Sequence, residues 1–191
     1  MPEAQDAFLR PWLAHDADQV TAVFEVADMS SQGGPMTLEQ VRTWIQTRAW
    51  HPESTSLSLA ICRADPDASD EDSDEGRAVG EVRISQLESR HHTGWVSYWV
   101  APEARGMGLA TSAVVTLCGW VFQHTDVVRL ELGHRVNNPA SGTVAVRAGF
   151  IQEGLERQKL EYGSERFDVA VYSRLRSDPQ PRASPLPLVL P

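Results

Sequence analysis

The spacing of apolar side chains along this chain switches repeatedly between the alternation of a strand and the three-to-four-residue repeat of a helix. Phe8-Leu9-Arg10-Pro11-Trp12 reads as a short first strand at a sheet edge, since Pro11 has no N–H for a ladder. Asp16 is placed to cap a helix carrying Val20, Val23 and Phe24 on one face. After Gly33-Gly34-Pro35 breaks the chain, Thr37 is placed to cap a second helix, with Val41, Trp44 and Ile45 at helical spacing. Strands follow over Leu57–Cys62, Val79–Leu87 and Trp95–Val100, the last two joined as a hairpin around Ser89–Gly94. Residues 107–124 form a long helix with Leu109, Ala113, Leu117, Val121 and Phe122 along its buried stripe. Val127–Leu132, with few polar interruptions, suits a central strand. Pro139 opens a shorter helix that ends at Gly149, a left-handed cap position, and strands over Phe150–Leu160 and Arg166–Leu175 complete the order β-α-α-β-β-β-α-β-α-β-β.

At 191 residues one domain is the default, and residues 1–176 hold it. From Ser177 on, five prolines point to a disordered tail, while the apolar run Leu186–Leu190 gives it a means of docking on its own domain or on a partner. Residues 64–77 are acidic, with nothing to bury, and read as a flexible loop between strands. Asp70, Asp72 and Asp74 with Glu81 imitate a calcium loop, but Gly76 falls one position late and a strand follows where a helix belongs. Of the formal charge of −9, Asp65, Asp67, Asp70, Glu71, Asp72, Asp74 and Glu75 supply seven, so the rest of the chain is nearly neutral. That balance disfavours a nucleic-acid partner and favours a cationic acceptor such as an amine. Cys62 and Cys118 lie in apolar patterns and read as core. No apolar run is long enough to span a bilayer and Met1–Ala7 is polar, so no membrane association and a cytoplasmic location are expected.

The chemistry concentrates in Tyr98-Trp99-Val100-Ala101-Pro102-Glu103-Ala104-Arg105-Gly106-Met107-Gly108-Leu109-Ala110: a strand, a glycine-bearing turn and a helix N-terminus. Unpaired N–H groups and the helix dipole make such a junction an anion site. Gly106 and Gly108 allow close approach of backbone to a ligand, and Arg105 adds a cation. Neither a P-loop nor a dinucleotide fingerprint fits, for want of a Gly-Lys-Ser/Thr ending and of a third glycine.

What remains, Arg105-x-x-Gly108-x-Ala110, resembles the acetyl-CoA-binding motif of the GNAT N-acetyltransferases. Asn137-Asn138-Pro139-Ala140-Ser141, Ala148-Gly149-Phe150, Glu153-Gly154 and Asp168–Ser173 follow in the order of the RimJ/RimL branch, and the likeness runs from about residue 7 to residue 176. It implies an α/β (α+β) fold: a mixed, mostly antiparallel seven-stranded sheet with helices on both faces. It implies acetyl-CoA as cosubstrate, no metal, and a donor site built from Val100, Ala101, Arg105, Gly106, Met107, Gly108, Leu109, Ala110, Asn138 and Ser141. By the same resemblance Val100 and Ala101 lie beside the thioester, with a backbone N–H there as oxyanion donor. Asn138 contacts the pantetheine arm or its surroundings, although it also suits a helix N-cap.

Two positions depart from the family pattern. The tyrosine that many relatives place seven residues after the asparagine is Ala145 here, leaving Ser141 to hand a proton to the departing thiolate. The glutamate of the strand before the loop is replaced by Trp95, which leaves Glu81, Glu88, His91, His92 and Glu161 as substitutes. Glu81 and Glu161 enter the candidate catalytic set beside Ser141. The weak basic provision bears on the acceptor. An α-amine has a pKa of ~7.7–8.0 against ~10.4 for lysine, so deprotonating lysine costs about 3.5 kcal/mol more. The expected activity is acetyl transfer to a protein N-terminal α-amine. The alternatives are a small-molecule amine (antibiotic, polyamine or amino-acid derivative), a longer acyl donor such as succinyl-CoA, or a non-catalytic CoA-binding domain. The acceptor pocket is expected from Gly33–Pro35, the second helix and the loops near His91 and Gly163, with Trp44 and Trp50 as candidate lining. A homodimer is left open.

Overall fold

The computed structural model describes residues 6–26, 29, 35–49, 51, 54–64 and 75–190. Its elements follow the predicted order: β1 (Ala7–Arg10), α1 (Asp16–Phe24), α2 (Leu38–Gln46), β2 (Leu57–Arg63), β3 (Arg77–Glu88), β4 (Thr93–Val100), α3 (Leu109–His124), β5 (Arg129–Arg135), α4 (Pro139–Arg147), β6 (Ile151–Tyr162) and β7 (Glu165–Leu175). The seven strands form one sheet in the order β1-β2-β3-β4-β5-β7-β6. Every pairing is antiparallel except β4 with β5, which are parallel and meet only over Thr93–Trp95 against Arg129–Glu131. Beyond that point the two strands diverge, opening a wedge in mid-sheet.

Each face of the sheet buries its own apolar cluster. On one side Val82, Ile84, Val96, Leu130 and Leu132 pack under α3, with its Leu109, Leu117 and Cys118, and against Ala145 and Ala148 at α4. On the other, Trp12, Val20, Phe24, Val41 and Ile45 from α1, α2 and the segment before them cover Ala60, Cys62, Ala78 and Trp99. Both cysteines are buried and free, and desolvation pushes each thiol up to about 12, as befits core residues.

Several local expectations change. Asp16 is the first residue of α1 rather than its cap. Its carboxylate is buried and bidentate with Arg10 (2.7 and 2.8 Å), and it also accepts the Leu13 N–H. An ion pair to β1 therefore holds that carboxylate. Thr37 does cap α2, in a reciprocal box with Gln40. Helix α3 starts at Leu109, two residues late, because Gly106 and Gly108 both have left-handed φ (+78° and +80°). Strand β5 runs to Arg135, beyond Leu132, because β7 pairs with it along seven residues.

The tail is docked rather than disordered. Leu9 N–H donates to Pro187 O, and Val189 N–H donates to Leu9 O, so the tail lies alongside edge strand β1. Leu186 is buried, and the Thr116 hydroxyl of α3 accepts its N–H at 2.7 Å and faces its carbonyl at 3.3 Å. Prolines keep this segment extended, and an extended backbone is what a strand edge can pair. The acidic segment 65–74, with the calcium-like spacing, lies outside the described residues, as do Gly33, Gly34 and Trp50.

Candidate active site

A cavity of about 570 Å³ occupies the wedge between β4 and β5 and extends between the start of α3 and one face of α4. Its walls are Tyr98, Trp99 and Val100 from β4, the turn Ala104–Gly106, Gly108–Thr111 from the α3 start, and Asn138, Ser141, Val144 and Arg147 from α4. Met29 and Arg135 line it as well.

The turn before α3 is shaped by its glycines. A Cβ on Gly106 or Gly108 would meet nothing within 4 Å, so what demands glycine is the positive φ. No side chain caps α3, whose first intrahelical bond runs from Ser112 N–H to Gly108 O. The N–H groups of Leu109, Ala110 and Thr111 therefore have no helical acceptor, and they lie where the cavity begins. Their partial positive charge is the anion-binding element of the site.

Backbone along the wedge is exposed by register. Gly80 faces Val100 across the β3–β4 ladder, and Ala101 N–H donates to Val79 O at 2.8 Å. Antiparallel alternation then turns the N–H and C=O of Val100 and Tyr98 away from β3 toward β5, which has already diverged. Ala101, fully buried with its N–H taken by Val79, is not a cavity residue, which removes it as an oxyanion donor. Met107 likewise packs on the α3 core instead of lining the cavity. Arg105 lines the cavity but folds its guanidinium back, Nε to Val100 O at 3.1 Å and Nη2 to Met29 Sδ at 3.3 Å, bracing the end of β4.

Asn138 caps α4: its Oδ1 accepts the Ser141 N–H at 3.2 Å. The Ser141 carbonyl accepts a hydrogen bond from the Tyr98 hydroxyl at 3.2 Å. Ser141 lines the cavity with both its backbone groups engaged. Burial pushes the Tyr98 phenol up to about 12, so it stays protonated across the neutral range. Tyr98 escaped the sequence reading because its neighbours suggested only a strand. Strand alternation toward the α4 side was the available signal.

The carboxylate substitutes are placed elsewhere. Glu81 is buried, but Arg48 Nε (2.7 Å), Ser58 Oγ (2.7 Å) and Trp99 Nε1 (3.1 Å) occupy its oxygens, behind Trp99 rather than in the cavity. Glu161 is exposed and pairs with Arg166 across the β6–β7 hairpin. It does not line the cavity. Glu88, His91 and His92 sit at the turn before β4, the opposite end of that strand from the cavity. Trp44 packs against Trp12 and Phe24, with Arg48 3.8 Å above its ring, and is core rather than pocket lining. The hairpin around Gly163 does reach the cavity rim, through Tyr162 and Phe167 stacked on Arg135. Among the described residues no group of three or more His, Cys, Asp or Glu side chains is placed to hold a metal ion. Among the described residues no helix is long and apolar enough to cross a membrane.

Residues 7–151 match the family described as the acetyltransferase (GNAT) domain. The chain belongs to the GNAT acetyltransferase family. It is 30% identical over 101 residues to the ribosomal-protein-serine acetyltransferase of Escherichia coli (strain K12), covering 53% of this chain and 56% of that one. The chain spans a little over half the length of the first curated relatives it matches. Among solved structures, RimL, a ribosomal L7/L12 alpha-N-protein acetyltransferase in complex with coenzyme A, superposes with a TM-score of 0.74 at 18% identity, covering 91% of this chain and 96% of that one. The spermidine N-acetyltransferase of Vibrio cholerae, in complex with CoA and spermine, superposes with 0.75 at 15% identity, covering 91% and 98%. The seven-stranded GNAT sheet is thus common to this chain and to enzymes whose stated acceptors are different amines.

Proposed function

We propose that the protein is an acetyl-CoA-dependent N-acetyltransferase acting on a protein N-terminal α-amine. The observation that carries the donor half is the cavity joining two features: the uncapped start of α3 and the stretch of β4 at Tyr98 and Val100 that has no strand partner on its β5 side. The first suits a pyrophosphate, held by the N–H groups of Leu109 and Ala110 and the turn Gly106–Gly108. The second suits an amide-bearing arm laid along β4 like an added strand. Bound acetyl-CoA supplies the acyl carbon and the thiol leaving group.

The chain's own residues then orient and move protons. Asn138 fixes the first turn of α4, and Tyr98 fixes Ser141 against β4, so the Ser141 hydroxyl is held at the cavity wall. A neutral amine attacks the thioester carbonyl, the C–S bond breaks, and the proton lost by the attacking nitrogen reaches the departing thiolate through the Ser141 hydroxyl, which takes up one proton as it gives the other. A thiol of pKa ~8.5 needs little assistance. With Glu81 engaged and Glu161 paired with Arg166, no carboxylate of the candidate set lines the cavity. An α-amine, about one in ten of which is already neutral at pH 7, then reacts where lysine does not. Incubating the protein with acetyl-CoA and a peptide carrying both a free N-terminus and an internal lysine tests this. Acetyl groups on the α-amine alone are expected, and preferential lysine modification would refute it.

A further inference from the structure

The sheet face turned toward α1 and α2 is covered over β1 to β3, where the aromatic cluster sits, but is open farther along. Ser97, in mid-strand on β4, is exposed, and Trp95 and Gly133 are only half-buried. Alternation places Arg83 of β3 and Arg135 of β5 on this same face. Val82 and Ile84 beside Arg83 are buried on the α3 side, and Arg83 sits opposite Ser97 in register. Arg135 ends the row that carries Gly133, whose Cβ position would touch Trp95 and Val169.

Charge on this face is unbalanced. The neighbouring arginines have carboxylate partners: Arg48 with Glu81, Arg129 with Glu131 and Glu153, Arg166 with Glu161. Arg83 and Arg135 have none among the described residues, and Arg83 Nε is buried without a hydrogen-bond partner. Arg135 is held by π faces instead, its guanidinium carbon 4.6 Å from the Tyr162 ring centre and 5.1 Å from that of Phe167, while it lines the cavity. A guanidinium stacked in this way keeps its N–H edges for a bidentate anion. Glu81, the buried carboxylate of this face, is already neutralised by Arg48. Two arginines without a carboxylate partner among the described residues thus share one face of a chain carrying −9 overall.

We infer that Arg135 and Arg83 read a carboxylate on the acceptor, so that the preferred substrate is an N-terminal α-amine followed within a few residues by Asp or Glu. This rests on the N-terminal acetyltransferase reading. One strand, β4, separates the two arginines. Because β4 and β5 have diverged before Arg135, the two arginines stand farther apart than two paired-strand spacings of ~4.8 Å, and an extended peptide, advancing ~3.4 Å per residue, reaches both only with side chains several residues apart.

The test uses three amidated peptides beginning with serine and continuing Asp-Glu, Asn-Gln or Lys-Arg. For each, kcat/KM is measured at saturating acetyl-CoA, and binding to the CoA-loaded protein by calorimetry. The acidic peptide is expected to bind and react about tenfold better than the neutral one, with the gap closing as salt rises. Arg135→Gln and Arg83→Gln should each lower the acidic peptide's kcat/KM several-fold more than the neutral peptide's, Arg135→Lys should restore part of the preference, and Arg166→Gln should leave it unchanged. Equal or better use of the neutral or basic peptide, or losses equal across all three, would overturn the inference. So would failure of the acidic peptide to bind a protein that does bind acetyl-CoA. Failure of acetyl-CoA itself to bind would instead bring down the acetyltransferase reading on which this rests.

Discussion

The Tyr98 hydroxyl donates to the Ser141 carbonyl at 3.2 Å, tying β4 to the first turn of α4 across the gap where β4 leaves β5. Both residues line the cavity. Tyr98→Phe should cost about 1 kcal/mol of stability, the usual net value of a hydrogen bond, and weaken acetyl-CoA binding several-fold. Thermal melts and calorimetric titration check the two effects together. A variant with unchanged donor affinity would reduce the contact to a structural tie.

Ser141→Ala should lower kcat about tenfold or more while leaving the acetyl-CoA affinity nearly unchanged, because its backbone groups still serve Asn138 and Tyr98. Steady-state kinetics with one peptide acceptor decides it. Undiminished turnover would remove Ser141 as proton donor.

The buried network behind Trp99 makes a stability prediction. Arg48→Met leaves the Glu81 carboxylate buried with Ser58 and Trp99 as donors but no cation, and should destabilise by roughly 3 kcal/mol. Adding Glu81→Gln should recover much of that loss. Urea denaturation of the two variants measures it, and a single variant as stable as the parent would contradict the account.

Alkaline pH should unfold the protein through its buried acids. The Cys62 and Cys118 thiols are raised from 9.0 to about 12, and the Tyr98 phenol from 10.0 to about 12. Each favours the protonated folded state, so its contribution is complete below the unfolded pKa and is lost as pH rises through the folded one. Stability should hold up to about pH 9 and fall between pH 9 and 12. Cys118→Ala should flatten part of that slope, and denaturation midpoints measured across the range reveal it.

Much of the fold was legible because period and punctuation agree: the strands alternate, Thr37 and Gly149 mark helix ends, and the Arg105–Ala110 turn sits between a strand and a helix. The parts that sequence did not disclose are those decided by distant partners. Asp16 looks like a cap until Arg10 is seen beside it. The prolines of the tail suggest disorder, yet Leu186 finds Thr116 seventy residues away. Glu81 and Glu161 were reasonable bases by residue type, and only the neighbours Arg48, Ser58, Trp99 and Arg166 show that both are engaged elsewhere. Tyr98, named only as part of a strand, and Arg135 were given no role because the features that single them out, a carbonyl on α4 and two rings on a hairpin, come from other elements.

The central claim is that the cavity at the start of α3 holds acetyl-CoA, and calorimetric titration of acetyl-CoA and of CoA tests it most directly. Micromolar binding of both is expected, with Gly108→Val abolishing it in a protein that remains folded by circular dichroism, since valine resists the left-handed φ of that position. Absence of binding by either ligand to the unaltered protein would contradict the account.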